Sequence, residues 1–268
     1  MTLITSVHNP RVKKALQLRR RKGRRQQGRI IVDGMREIHR ALLGDVEPSA
    51  LFVQRDSVNG DVAHAIVARC QQAGVAPTYV STSVFRQLAF GDRADGFVLV
   101  AHRPATSLDR LAIDHQSVIA VLENVEKPGN VGAILRSADA AGITAVVLAD
   151  AGTGLFNPNA IRASLGAIFH VPVAESSARD VRAWLASHHT AIYATRVDGA
   201  MRYDRVRYQR PCAIVVGSEA LGLTPVWRGP GVQAVTIPMR GVVDSLNVSV
   251  TAAVLFYEVI RESAAHLS

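Results

Sequence analysis

Two stretches of the chain alternate between short apolar runs and amphipathic segments. Between residues 30 and 101, β-like runs at 30–32, 50–53, 78–80 and 97–101 are separated by segments at 35–43, 62–72 and 83–89 whose apolar residues recur every three or four positions. Gly44, Gly74 and Gly91 fall where those helices should stop. The pattern predicts a small α/β domain. It lapses over residues 102–116, which carry Pro104 and a polar run at 106–110, and resumes at Val118. From there VIAVL reads as a strand, followed by a helix over about 130–141 and a strand at 145–149. Further helices fit 159–166 and 178–188, with strands at 191–195 and 213–216. Strands that are apolar throughout belong to a largely parallel sheet covered on both faces. The expected fold is therefore α/β in two parts: a domain over 1–105, a linker over 106–117 and a second domain over 118–268.

In a parallel sheet, ligands bind beyond the carboxyl ends of the strands, which directs attention to three strand-to-loop junctions. In the first, LENVEKPGNVGAILRSADAAG, Pro128-Gly129 makes a turn and Asn130 suits an N-cap. Arg136 lies off the apolar stripe of Val131, Ile134, Leu135 and Ala138; because helical side chains tilt toward the N-terminus, its guanidinium can reach back toward Asn130. Either residue alone also fits a bland role, a capping Asn or a solvated Arg. In the second, IVVGSEALGL, Gly217 permits close backbone approach and Glu219 follows in the loop. In the third, IPMRGVVDSLNVSVTAAVLFYE, a strand ends near Ile237 and a helix begins whose apolar positions are Val248, Ala252, Leu255 and Val259. Asp244, Ser245 and Asn247 cluster at the seam, where a helix cap requires only one of them. Ile237, Met239 and Leu246 would supply apolar walls beside them.

Composition narrows the classes. With 48% hydrophobic and 20% charged residues the chain is globular and long enough for two domains. No apolar run approaches the ~18 residues of a membrane span, and no apolar signal segment follows the basic N-terminus, so a cytoplasmic protein without a membrane partner is expected. Cys70 and Cys212 lie far apart without metal-ligand spacing, so neither a disulfide framework nor a metal site is expected. The net charge of +9 is local: residues 1–29 hold ten Lys and Arg and no acid, while the rest of the chain carries 21 basic against 22 acidic residues. That segment reads as a helix starting near Asn9-Pro10, with Val12 and Leu16 on one side and cations elsewhere. A basic strip of this kind suits a phosphate backbone, with binding that weakens steeply in salt.

Taken together, NVEKPGNVGAILRSADAAG, IVVGSEALGL and IPMRGVVDSLNVSVTAAVLFYE resemble, in order and spacing, the three signature motifs of the SpoU (TrmH-like) family of RNA ribose 2′-O-methyltransferases in the SPOUT superfamily. NPNAIRASLGAIFHVPV is similar to the family's intervening segment, so the resemblance covers residues 118–261, and residues 1–105 resemble the ribosomal-protein-like substrate-binding domain of ribosomal-RNA members. The resemblance implies a deep trefoil knot, an S-adenosyl-L-methionine pocket, and a homodimer with active sites at its interface. It implies RNA as substrate, bound through the basic segment 11–29 and the N-terminal domain, with large-subunit ribosomal RNA the leading expectation. Transfer RNA methylation and a non-catalytic RNA-binding or assembly role are the alternatives. By matching position the cofactor would lie against Thr195, Gly217, Ile237, Met239 and Leu246, while Asn130, Arg136, Glu219, Ser245 and Asn247 match the family's catalytic and structural polar positions. The family reading makes Arg136 the base; a guanidinium is protonated at neutral pH, so we expect it instead to bind the adjacent phosphate and stabilise developing alkoxide charge. A nucleotide-binding oxidoreductase is disfavoured because no strand is followed by GxGxxG.

Overall fold

The computed structural model describes residues 3–90, 95–198, 200–218 and 221–265. Gly91 and Glu219, both singled out in the sequence, lie outside the described residues. The chain divides into two compact units, one formed by Met1–Pro104 with Phe156–His170 and the other by Ala105–Leu155 with Val171–Ser268.

The first unit begins with α1 (Pro10–Gln17) and α2 (Arg21–Gln27), followed by β1 (Arg29–Asp33), α3 (Met35–Leu43), β2 (Pro48–Gln54), α4 (Asp61–Gln72), β3 (Pro77–Val80), α5 (Thr82–Leu88) and β4 (Phe97–His102). Its sheet has the order β1-β4-β2-β3, antiparallel except for the β2–β3 pair. Ile31, Phe52, Val98 and Val100 pack with Val12, Ala15 and Leu18 of the N-terminal helices and with Val84, Phe85 and Leu88 of α5. The alternate strand positions Ile30, Val32, Leu51 and Leu99 are equally buried, which is why these strands read as continuous apolar runs.

The basic segment departs from the single expected helix. After α1 the chain turns at Leu18, Arg20 takes an extended conformation, and α2 starts again. The two helices approach so closely that a Cβ on Gly23 would lie 2.1 Å from the Gln17 carbonyl oxygen. Two of the ten cations are consumed in this packing. Arg24 is buried, and its Nη1 donates to the carbonyls of Leu18 (3.0 Å) and Arg19 (2.9 Å), just past the end of α1, where carbonyls lack intrahelical donors. Arg19 lies 4.4 Å from the centroid of the Phe90 ring and donates to the Ala89 carbonyl. Desolvation pulls its guanidinium pKa down, opposed by the nearby Asp33 carboxylate.

The second unit continues with β5 (Val118–Glu123), α6 (Pro128–Ala141) and β6 (Ala145–Ala149). The chain then supplies α7 (Pro158–Ala163) to the first unit, where it packs on β1. It returns with β7 (Val173–Ser176), α8 (Ala178–Ser187), β8 (Ala191–Thr195), the two-residue β9 (Met201–Arg202), β10 (Cys212–Val216), β11 (Val232–Thr236) and α9 (Val248–Ala265). Residues 156–170, read from sequence as part of the second domain, thus cluster with the first, because a lone short helix buries its apolar face wherever a matching surface exists. The seven strands are ordered β7-β6-β5-β10-β8-β11-β9, and all six pairings are parallel. One face packs under α8 through Ile119, Val121, Val147, Val181 and Leu185. Elsewhere α6 packs on α9, burying Ile134, Leu135, Ala138, Ala252, Leu255 and Phe256. α6 starts two residues earlier than expected: Pro128 occupies the first turn, where its missing N–H costs nothing, and Asn130 is therefore inside the helix, its N–H donating to the Lys127 carbonyl at 3.0 Å. Lys127, not Asn130, is the N-cap.

Gly23→Ala should force the α1–α2 contact apart and lower stability by about 1–3 kcal/mol, read as a shift in the urea midpoint. An unchanged midpoint would show that the two helices separate without cost.

Candidate functional site

Because β5, β10, β8 and β11 are parallel neighbours, their carboxyl ends share one edge of the sheet. The loops that leave this edge build the site. Beyond β11 the chain runs from Ile237 to Asn247 without regular structure before α9 begins. Together with the residues that follow β8, this loop encloses a cavity of about 350 Å³. Val197, Ile237, Pro238, Met239 and Leu246 form its apolar wall, with Asp244, Ser245 and Thr251 as polar members. Thr195 Oγ1 donates to the Val215 carbonyl at 3.1 Å, fixing the end of β8 to β10. Arg196 also lines the cavity and holds Asp198 in a bidentate pair, with Nε–Oδ1 at 3.0 Å and Nη2–Oδ2 at 2.6 Å. That hydrogen bonding lowers the Asp198 carboxyl to about 2, with Arg228 contributing more weakly.

Asn247 sets the start of α9. Its backbone carbonyl accepts from Val250 and Thr251, both at 3.0 Å, and its Oδ1 accepts from the Ser249 N–H at 2.9 Å and the Ser249 hydroxyl at 2.6 Å. The amide nitrogen on the same side chain donates to Asn130 Oδ1 at 3.3 Å. One residue thereby caps one helix and grips the first turn of another. Of the seam cluster, Asn247 is the cap, whereas Asp244 and Ser245 are exposed at the cavity.

Gly217 does not line the cavity; it lies at the end of β10, where the loop folds back on itself. A Cβ there would lie 2.6 Å from the carbonyl carbon and oxygen of Gly222 and 2.8 Å from the Leu223 nitrogen. The fold-back is closed by the Gly222 N–H donating to the Ser218 carbonyl at 2.9 Å. Only glycine fits this approach.

Thr195, Ile237, Met239, Ser245 and Leu246 therefore meet around one cavity, and Asn130 and Asn247 meet across two helices. Arg136 is exposed on α6 and has no hydrogen-bond or ion-pair partner among the described residues. Two features escaped the sequence reading. The first is the β8 exit, Arg196 and Val197, which no pattern distinguished from an ordinary loop. The second is Glu123, fully buried at the end of β5, whose carboxylate accepts from the Thr224 N–H (2.7 Å) and hydroxyl (2.6 Å). It fastens the exit of the Gly217 loop to β5. Its sequence signal was a lone acid closing an otherwise apolar strand, VIAVLE. An apolar pocket with a few convergent polar groups at the carboxyl edge of a parallel sheet suits a small organic cofactor, and the exposed guanidinium of Arg136 on α6 suits an anion.

Comparison with known proteins bears on the same residues. A model described as the SpoU rRNA Methylase family matches residues 117–257, and one described as the MRM3-like substrate binding domain matches residues 9–99. Over 258 residues the chain is 26% identical to the 23S rRNA (guanosine(2553)-2′-O)-methyltransferase of Bacillus subtilis, covering 96% of this chain and 98% of that one. A crystal structure of an RNA 2′-O ribose methyltransferase is 36% identical with a TM-score of 0.84, covering 98% of this chain and 100% of that one. An AdoMet-bound rRNA methyltransferase from Sinorhizobium meliloti is 25% identical with a TM-score of 0.88, covering 97% of each chain.

Thr224→Val removes the hydroxyl donor from a buried carboxylate and should destabilise the protein by about 1–3 kcal/mol, measured by denaturant unfolding. A neutral effect would mean that Glu123 is satisfied without the Thr224 hydroxyl.

Proposed function

The chain belongs to the SpoU rRNA methylase family, and from that premise we propose that it methylates a ribose 2′-hydroxyl of large-subunit ribosomal RNA in the cytoplasm, using S-adenosylmethionine held in the cavity beyond β8 and β11. The observation that carries this reading is the juxtaposition of that apolar cavity with the Asn130–Asn247 pair at the start of α6 and α9. The residues present fit the cofactor. The cavity's volume of about 350 Å³ falls in the range of small-molecule sites, Ile237, Met239 and Leu246 offer apolar contact for a purine, and Asp244, Ser245 and Thr251 offer polar ones. Thr195 and Gly217 act by shape, the first holding β8 to β10 and the second letting the neighbouring loop close.

Bound there, S-adenosylmethionine supplies an activated methyl group on a sulfonium. What remains for the protein is to align the 2′-hydroxyl and ease loss of its proton to the adjacent phosphate or to water. Guanidinium groups remain protonated in proteins, so the role open to Arg136 is to bind the phosphate next to the reacting ribose and stabilise negative charge growing on its oxygen. Ser245, with its hydroxyl at the cavity, receives or relays the hydroxyl hydrogen bond. Asn130 and Asn247 keep the two helix starts in register around it.

We further assign the exposed apolar side of α9 to a second copy of the chain. Val250 and Tyr257, seven residues apart on one helix face, are exposed, as are Val242 and Val243 in the preceding loop. Apolar surface of this kind marks an interface, and α9 packs on α6, which carries Arg136. The trefoil knot belongs to the same reading. Its support is that α9 follows β11 yet packs on β10, beyond the intervening β8.

Arg136→Ala should abolish methyl transfer to ribosomal RNA while cofactor affinity by calorimetry stays within about threefold, a difference below 1 kcal/mol; loss of both in parallel would refute the assigned role. Tyr257→Arg should convert a dimer into a monomer by sedimentation equilibrium, and a wild-type monomer would refute the interface.

A further inference from the structure

A second, smaller cavity in the first unit, of about 230 Å³, lies between the N-terminal helices and the sheet. Arg11 and Lys14, on one face of α1, and Arg29, opening β1, line it, and among the described residues no acidic one does. Beneath them are the buried apolar residues Leu18, Phe52 and Val100. Ser49 enters the lining because the β2–β4 pairing slips between Pro48 and Ala50, making Ser49 the extra residue of a bulge; bulges re-aim a side chain in this way. Gln27 completes it, its amide nitrogen donating to the Lys14 carbonyl at 3.1 Å and to Gln17 Oε1 at 3.2 Å, which leaves the Gln27 carbonyl oxygen as an acceptor.

From this arrangement we infer that the cavity receives one unpaired nucleotide of the RNA, with its phosphate among Arg11, Lys14 and Arg29 and its base in the apolar crevice below; the inference rests on the reading that the protein binds RNA. A phosphate ion alone would leave the apolar floor uncovered. A duplex would bring its phosphates to the rim while its stacked bases stayed out of reach. The cavity therefore separates two roles that a basic strip would merge: the outward cations attract RNA of any form, and the crevice selects for a base free to leave its stack.

The test uses the full chain, a short single-stranded RNA, and an RNA duplex with the same number of phosphates, compared by fluorescence anisotropy. The single strand should bind about tenfold more tightly. Ser49→Leu, which fills the cavity without changing charge, should remove that preference and leave duplex affinity and cofactor affinity unchanged. Arg29→Gln should weaken both RNAs and reduce the magnitude of the salt slope by about one. In the wild-type protein, a nucleoside monophosphate should compete for the single strand at concentrations where inorganic phosphate does not. Equal binding of both RNAs, a preference that survives Ser49→Leu, or equal competition by phosphate would each overturn the pocket while leaving the RNA reading intact. Failure to bind either RNA would overturn both.

Discussion

Parallel pairing throughout the C-terminal sheet is the constraint on which the rest of the site depends. Parallel strands cannot be joined by tight turns, so each connection must leave at the carboxyl edge and travel back across a face. The exits of β5, β8, β10 and β11 consequently collect along one edge. There the regular ladder stops, and exposed backbone and side-chain groups must find partners from other loops. Thr195 reaching the Val215 carbonyl, Arg196 N–H reaching the Val235 carbonyl at 2.9 Å, and Glu123 reaching Thr224 are the local solutions. Each ties one exit to a neighbour, and the cavity is the space these ties enclose.

Asn247 does two jobs whose combination explains its position. A serine or aspartate would cap α9 as well, yet neither offers an amide N–H alongside the capping oxygen. Asn247 uses the oxygen for Ser249 and the nitrogen for Asn130. The end of the cavity loop is thereby referenced to the first turn of α6, and any shift in where α9 begins would move Leu246 and Ser245 with it. Rigidity at this seam comes from hydrogen bonds between elements, because the loop itself has no ladder.

The basic segment makes a related point about charge. Ten cations in 29 residues look uniform in the sequence, but folding divides them. Arg24 satisfies carbonyls at the end of α1 and Arg19 stacks on Phe90, so their charge does structural work at the expense of availability. Arg11, Lys14 and Arg29 instead rim a cavity whose floor is the core of the domain. Val12, Ala15 and Leu18 are part of that core, which makes the segment an integral layer of the domain as well as a charged one.

Much of the secondary structure was legible in the chain, because burial of one or both faces imposes a period on local sequence. The helix at 35–43 and the strands at 145–149 and 191–195 coincide with the observed elements. The motifs at 124–142, 214–223 and 237–258 also carried enough type and spacing to indicate the family. Boundaries moved where backbone chemistry overrode the period, as at Pro128 and at the Gly23 contact that splits the basic helix. Tertiary structure alone decided which residues face one another. The Asn130–Asn247 bond joins positions 117 residues apart, and the bonds from Glu123 to Thr224 span 101. No local period encodes such pairs. They exist because β10 and β8 insert between β5 and β11 in the sheet, and that order is set by the packing of the whole chain.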